Sequence, residues 1–251
     1  MFTSYSILIA TLGGIVPALI WLFFWLREDE HQEPRKIILL TFLFGMLCVP
    51  LVLPFQYFVS KYIGGGAEPS TLIGINFLLA LFIIFLWASV EEILKYIASH
   101  LLFLQRKEID EPMDWVIYMI STALGFSAAE NALFLISPLL EGNISLSIAT
   151  GNLRFIGATL LHVLCSAVVG IFLAFAFYKS KHIKTMYRSL GILTAIFLHT
   201  AFNLFIITDE HSTMTVFSFV WIATIILILL LEKIKKLKPV IPKKIPDING
   251  S

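Results

Sequence analysis

Long apolar stretches separated by short polar segments dominate this chain of 251 residues. A helix needs about 20 mostly apolar residues to cross the hydrocarbon core of a bilayer. The third and fifth stretches are longer than that, so we expect these two helices to tilt, kink or protrude. The pattern predicts an all-α membrane protein, a bundle of about seven transmembrane helices with spans at residues 5–26, 37–59, 71–103, 113–137, 151–178, 189–208 and 214–232.

The composition also predicts a chain that contacts the lipid bilayer. Hydrophobic residues make up 58% of the sequence, charged residues 14%, and the mean hydropathy is +0.89. A soluble domain has nearer ~45–50% apolar and ~25% charged residues. The net charge of +1 gives no indication of a nucleic-acid partner. We therefore predict one multi-pass membrane domain over residues 1–232 and a basic cytoplasmic tail over 233–251; the oligomeric state is left open.

The positions of the lysines and arginines predict the orientation of the bundle, because cytoplasmic loops are enriched in them. With the N-terminus outside, the inside loops and the tail hold 15 of these residues and the outside loops hold only Lys61. Lys95 and Arg154 lie within spans. This asymmetry predicts that the N-terminus is outside the cell and the C-terminus inside.

Seven ionisable residues lie deep within the predicted spans, where a charge costs roughly 2.5–3.5 kcal/mol unless it is paired or hydrated. Lys95 follows Glu91 by four residues and Glu92 by three, so one helical face carries all three. By helix rise, Glu91 and His199 lie roughly 16–18 Å from the inner surface. We expect spans three to six to share one polar site built from Glu91, Glu92, Lys95, Glu130, Arg154, His162 and His199.

This set of side chains suits amide hydrolysis. Two adjacent carboxylates repel each other's charge, so one is expected to hold a proton and leave a base beside an acid. A glutamate could then activate a water molecule, while His162 and His199 orient that water or bind the oxyanion. The candidate catalytic residues are Glu91, Glu92, His199, His162 and Glu130, and the candidate supporting residues are Lys95, Asn203, Asn131 and Arg154.

Several of these residues also have a purely structural interpretation. Glu91 and Lys95 could form an intrahelical ion pair with no catalytic role, and Arg154 could extend to the headgroups. Asn131 and Asn203 could serve helix packing. The two cysteines of the chain lie in apolar stretches without a Cys-Xaa-Xaa-Cys pair, and we predict both to be buried apolar residues: Cys48 and Cys165.

Four motifs occur in chain order: Glu91-Glu-Ile-Leu-Lys95, Gly125-Phe-Ser-Ala-Ala-Glu-Asn131, Arg154…His162 and His199-Thr-Ala-Phe-Asn203. They resemble the motifs of the PrsW family of intramembrane proteases, within the wider group of CAAX-prenyl-protease-like (CPBP) membrane peptidases. The resemblance extends over about residues 25–208. The first loop, residues 27–34, is similar to the family's acidic Asp…Glu-Pro segment, but Arg35 stands where a second Glu-Pro unit often begins.

The resemblance implies that Glu91 and Glu92 are the catalytic glutamates and His199 an essential partner, with Glu130, His162 and Asn203 completing the site. It also implies site-1 cleavage of a single-pass membrane protein, such as an anti-sigma factor, in a bacterial plasma membrane. Two mechanisms are described for such enzymes. We favour water activated by a glutamate without a cofactor, because Lys95 is a poor neighbour for a dication. The alternative is a zinc ion bound by His162, His199 and Glu92.

Two other functions would use the same residues. A non-catalytic scaffold would need the polar cluster only to hold helices together, so Glu92→Gln would mainly lower its stability. In an enzyme the same change should abolish cleavage. A transporter could relay protons along buried glutamates and histidines. Inverted repeats and broken helices are typical of transporters, and neither is evident in the sequence.

Overall fold

The computed structural model describes residues 2–29, 31, 33–103, 109–208 and 213–237, and contains no strand in these ranges. Seven helical segments in the described part are long and apolar enough to cross a membrane, which confirms the predicted all-α multi-pass protein. The helices are α1 (Phe2–Leu26), α2 (Arg35–Tyr62), α3 (Pro69–Ile73), α4 (Phe77–Phe103), α5 (Pro112–Leu140), α6 (Ile144–Leu153), α7 (Thr159–Phe175), α8 (Lys181–Thr208) and α9 (Thr213–Ile234).

The third and fifth spans differ from their predicted bounds. The third does not begin at residue 71, because α3 ends at Ile73, before Gly74, and α4 starts after Asn76, whose Oδ1 accepts the Leu79 N–H at 3.1 Å. Such an asparagine satisfies an N–H that a helix start leaves without a partner. The fifth starts earlier, at Ile144, and a π-helical turn over Arg154–Ala158 joins α6 to α7. The orientation of the termini stays a prediction, and residues 238–251 of the predicted tail lie outside the described residues.

Helix α5 is the central element of the bundle and packs against α1, α2 and α7. Glycines allow these close approaches, as small residues do between membrane helices generally. Gly45 of α2 lies against the backbone of Thr122, and Gly125 of α5 lies against the backbone of Phe42. These contacts fix α5 beside α2, and the residues that follow Gly125 along α5 carry the polar side chains of the candidate site.

The close contact at Gly125 leads to a stability prediction. A Cβ at this position would overlap the Phe42 carbonyl oxygen, which is backbone and cannot rotate away. We expect Gly125→Ala to lower the free energy of unfolding by about 1–3 kcal/mol, as overpacking does elsewhere. Denaturant titration of the purified protein in mixed micelles would measure this loss. The control is Gly74→Ala, where a Cβ meets open space and φ is −75°; equal losses in both variants would contradict the prediction.

Candidate active site

The centre of the bundle holds a buried ion pair between Glu92 and Lys95, one turn apart on α4. Lys95 Nζ lies 2.6 Å from Glu92 Oε1, and both side chains are fully shielded from solvent. Lys95 Nζ also lies 3.0 Å from His162 Nδ1 and 4.6 Å from the centre of the Phe126 ring. A buried cation needs such partners because desolvation is costly. Glu92 and Lys95 therefore stabilise each other as a buried ion pair.

His199 on α8 connects the two glutamates of α4. Its Nδ1 lies 2.8 Å from Glu92 Oε1, and its Nε2 lies 3.7 Å from Glu91 Oε2. An ionised carboxylate can only accept a hydrogen bond, so Nδ1 donates to Glu92. In the neutral imidazole, Nε2 then carries the lone pair and faces Glu91. The same arrangement, a carboxylate behind a histidine, orients the imidazole in many hydrolases.

His162 on α7 uses both of its ring nitrogens for other residues. An ammonium group has no lone pair, so Lys95 donates to His162 Nδ1, and Nε2 must carry the hydrogen. That N–H points to Glu130 Oε2, 2.9 Å away. The rings of His162 and His199 meet edge to face, with centroids 5.1 Å apart. His162 thus links the ion pair of α4 to the carboxylate of Glu130 on α5.

The π-helical turn brings Arg154 into the same network. Its guanidinium pairs with Glu130 Oε2, and its Nε donates to Asn131 Oδ1 at 2.5 Å. The guanidinium carbon also lies 3.9 Å from the centre of the Phe134 ring. Arg154 therefore pairs inside the bundle instead of extending to the headgroups. Single π-helical turns inside α-helices are frequent at functional sites.

A cavity of about 750 Å³ lies between α2, α4, α5, α7 and α8. Glu91 lines this cavity, whereas the more deeply placed Glu92 and Lys95 do not. Most of the wall is apolar, with Trp87, Phe126 and Phe202 among the larger side chains. Its polar lining includes Gln56, Glu91, Glu130, Ser137, Arg154, His162, His199 and Asn203.

The structure brings the sequence-predicted residues together. Hydrogen bonds and ion pairs link Glu92, Lys95, His162, Glu130, Arg154 and Asn131 in one network, and His199 joins Glu92 to Glu91. Asn203, one turn after His199, reaches the same cavity.

Two residues of this cluster were not predicted. Gln56 donates its Nε2–H to Glu91 Oε1 at 2.9 Å, and Thr159 Oγ1 accepts from Asn131 Nδ2 at 3.0 Å. Gln56 is uncharged, so the cost of burying a charge, which singles out the other residues, does not apply to it. A signal was present: Gln56 continues the helical spacing of Val49 and Val52, which are buried, so an amide lies on an otherwise apolar, inward-facing stripe.

The acidic first loop lies elsewhere. Glu33 accepts a hydrogen bond from Tyr118 of α5 and lies beside Asp114 at the start of α5. Asp114 is 16 residues from Glu130, or about 24 Å of helix. Burial raises the pKa of both Asp29 and Glu33 above their ordinary values. This loop is therefore a separate carboxylate cluster at one end of the bundle; Glu30 and Gln32 lie outside the described residues.

Among the described residues, two groups of buried donor atoms lie close enough together to be considered as metal ligands. Ligand atoms of Glu91, His162 and His199 lie within 4.8 Å of one another. Zinc takes at least three protein ligands, but both nitrogens of His162 are used by Lys95 and Glu130. That leaves two available donors, Glu91 Oε2 and His199 Nε2.

A second set of donor atoms, from Glu92, Cys165 and His199, is also that close. It includes the Glu92 carboxylate, which pairs with Lys95 at 2.6 Å. A zinc ion bound there would have the Lys95 ammonium group beside it. Neither set, as arranged here, fits a zinc ion.

Comparison with known proteins agrees with the resemblance seen in the motifs. The family model described as "PrsW family intramembrane metalloprotease" matches residues 33–231. "Protease PrsW" of Geobacillus kaustophilus (strain HTA426) is 28% identical over 203 residues, covering 79% of this chain and 80% of the relative. "Protease PrsW" of Bacillus subtilis (strain 168) is 27% identical over 202 residues, covering 78% and 81%.

A third relative covers more of the sequence. "Protease PrsW" of Shouchella clausii (strain KSM-K16) is 25% identical over 228 residues, covering 90% of this chain and 95% of the relative. No solved structure matches the chain. With four-fifths of the sequence inside the family model and the motif residues gathered at one buried cavity, the chain belongs to the PrsW family of intramembrane proteases.

Proposed function

We propose that this protein is an intramembrane endopeptidase in which Glu91 activates the attacking water. The observation that carries the proposal is the position of Glu91, which lines the cavity and whose Oε2 lies 3.7 Å from His199 Nε2. Both atoms accept hydrogen bonds. A water molecule that donates one hydrogen to each would be held with a lone pair free for a carbonyl carbon.

The proposed step is hydrolysis of a peptide bond. The water oxygen bonds to the carbonyl carbon as Glu91 takes a proton, and the C–N bond then breaks as the proton passes to the departing amine. Glu92 is a positioning residue, since its carboxylate orients His199 while Lys95 keeps it ionised. Asn203 in the same cavity is the donor proposed for the oxyanion.

This assignment changes the role first expected for His162. Because its one ring N–H is donated to Glu130, we assign it to positioning Lys95 and the Glu130–Arg154 pair instead of to binding an oxyanion. Glu130 and Arg154 also line the cavity, within reach of a substrate backbone. Asn131 holds Arg154 in place at 2.5 Å.

The proposed substrate is a single-pass membrane protein of the bacterial plasma membrane, such as an anti-sigma factor. The apolar wall of the cavity suits an apolar segment, because the side chains of a membrane span would find partners of like polarity there. Cleavage would be measured with purified protein in liposomes, using a panel of reporter fusions that each carry one membrane span. Mass spectrometry of the products should locate the cut inside or at the edge of the span.

The metal content of the active protein tests the mechanism. We expect full cleavage of the fastest panel substrate when bound zinc and other transition metals are far below one ion per chain. A chelator added to these liposomes should leave the rate unchanged. The reason is that Lys95 and Glu130 take both nitrogens of His162 and leave too few ligands for zinc. Activity that rises in proportion to added zinc would overturn the proposal for a metal-free mechanism.

A scaffold and a proton-coupled transporter would need the same polar cluster, and this assay separates them from a protease. Neither would release a cleaved reporter. A transporter would instead move solute in response to a pH gradient across the same liposomes.

A further inference from the structure

We propose that Gln56 of α2 is a positioning residue that holds the Glu91 carboxylate in its working orientation. The inference rests on the proposed function, since it concerns the same glutamate. Its basis is the hydrogen bond that Gln56 Nε2 donates to Glu91 Oε1 at 2.9 Å. This bond joins α2 to α4, because the two residues are 35 positions apart in the chain. Both residues line the cavity.

The sequence of α2 directs this amide inward. The positions 49, 52, 56 and 59 follow the spacing of one helical face, and the three valines on that face are buried. Gln56 is the one polar residue among them. In a low-dielectric setting an amide without a hydrogen-bond partner is unfavourable. The carboxylate of Glu91 supplies that partner, so each side chain fixes the other.

The hydrogen bond gives the two oxygens of Glu91 different partners. Oε1 is occupied by Gln56, while Oε2 faces His199 Nε2 at 3.7 Å. Without Gln56, the carboxylate could rotate about its last bond and present either oxygen, or neither, to the water site. Gln56 thus selects Oε2 as the atom that receives the proton.

Two prolines lie on α2 shortly before Gln56. Pro50 and Pro54 interrupt the hydrogen bonds of α2 shortly before this residue, and proline inside a helix bends it. Beyond these prolines, Val59 packs in one cluster with Ile83 of α4, whereas Phe42 and Gly45 at the other end of α2 lie against α5. Gln56 therefore lies on the part of α2 that faces α4 and lines the cavity.

The test compares two variants of Gln56 by cleavage of the fastest single-span reporter fusion in liposomes. Gln56→Leu removes the hydrogen bond at similar volume and should lower kcat roughly 10- to 100-fold with little change in KM, since small misplacements of a reacting group have effects of this size. Gln56→Glu keeps the size but places a second carboxylate beside Glu91. The two would share a proton, so the rise of kcat with pH should move to higher pH.

The matched control is Tyr57→Leu, at the next position on α2, where the side chain is 64% exposed on the outer face of the helix. It should keep the wild-type kcat and pH profile. Wild-type kcat in Gln56→Leu, or an unshifted profile in Gln56→Glu, would overturn the role of Gln56. If Glu91→Gln also kept its activity, the proposed function itself would fail; loss of activity in Glu91→Gln alone would confine the failure to Gln56.

Discussion

Replacing Glu91 by glutamine should lower kcat for the single-span reporter by roughly 10²- to 10⁴-fold, the range that general-base catalysis contributes. The amide oxygen of the new side chain can still accept the hydrogen bond from Gln56, and the Lys95 ion pair with Glu92 is left intact. The variant should therefore unfold at nearly the same denaturant concentration as the wild type. Cleavage in liposomes and denaturant titration in mixed micelles measure the two effects.

Glu141→Gln is the matched control, because Glu141 is exposed and its carboxylate accepts a hydrogen bond from the Ser137 hydroxyl at 2.8 Å. It should change neither quantity. A Glu91→Gln protein that still cleaves at the wild-type rate would disprove the assignment of the base. Glu92→Gln is a weaker test than the sequence suggested, because it would also leave the Lys95 ammonium without its carboxylate.

Replacing Lys95 by methionine should lower the free energy of unfolding by about 3–5 kcal/mol, which is the usual effect of removing one partner of a buried ion pair. Glu92 would keep only the His199 N–H, at 2.8 Å, and lose the cation that balances its charge. Cleavage should also fall, because His199 depends on an ionised Glu92 for its orientation. Denaturant titration gives the stability, and the liposome assay gives the rate.

The double variant Lys95→Met/Glu92→Gln separates these two effects. With both charges removed, most of the lost stability should return, because a neutral pair has no unbalanced charge to bury. Cleavage should stay low, since the carboxylate behind His199 is still missing. Lys181→Met, at the exposed start of α8, should remain within about 0.5 kcal/mol of the wild type. Equal stability of Lys95→Met and the wild type would contradict the central place given to the ion pair.

Much of this fold follows from residues that are visible in the sequence. Apolar stretches of sufficient length predicted the seven spans, and the cost of buried charge predicted that their ionisable residues meet. The sequence did not reveal the start of α4 at Phe77. The stretch around it is apolar apart from Gly74 and Asn76, so its hydropathy alone does not mark a helix boundary there. Nor did it reveal the π-helical turn at Arg154–Ala158, since its energy depends on contacts that Arg154 makes across the bundle.

The different surroundings of the two glutamates were likewise hidden in the sequence. Glu91 and Glu92 are neighbouring residues of the same type, and both lie within reach of Lys95 on an ideal helix. Their difference arises from other helices: Gln56 on α2 and the cavity adjoin Glu91, while His199 on α8 approaches Glu92 with its Nδ1. Such contacts depend on helix rotation and height, which hydrophobic patterns determine only coarsely.

The buried ion pair also has a consequence for biosynthesis. Three charged groups on one span oppose its transfer from the translocon into lipid, at about 2.5–3.5 kcal/mol each. Glu92 and Lys95 are three residues apart, so they can neutralise each other as soon as this turn of α4 forms, and Gln56 has already been synthesised when Glu91 emerges. His199, by contrast, is synthesised 107 residues after Glu92. The nascent chain can thus insert α4 with its charges partnered, while the proposed catalytic arrangement is completed only when α8 joins the bundle.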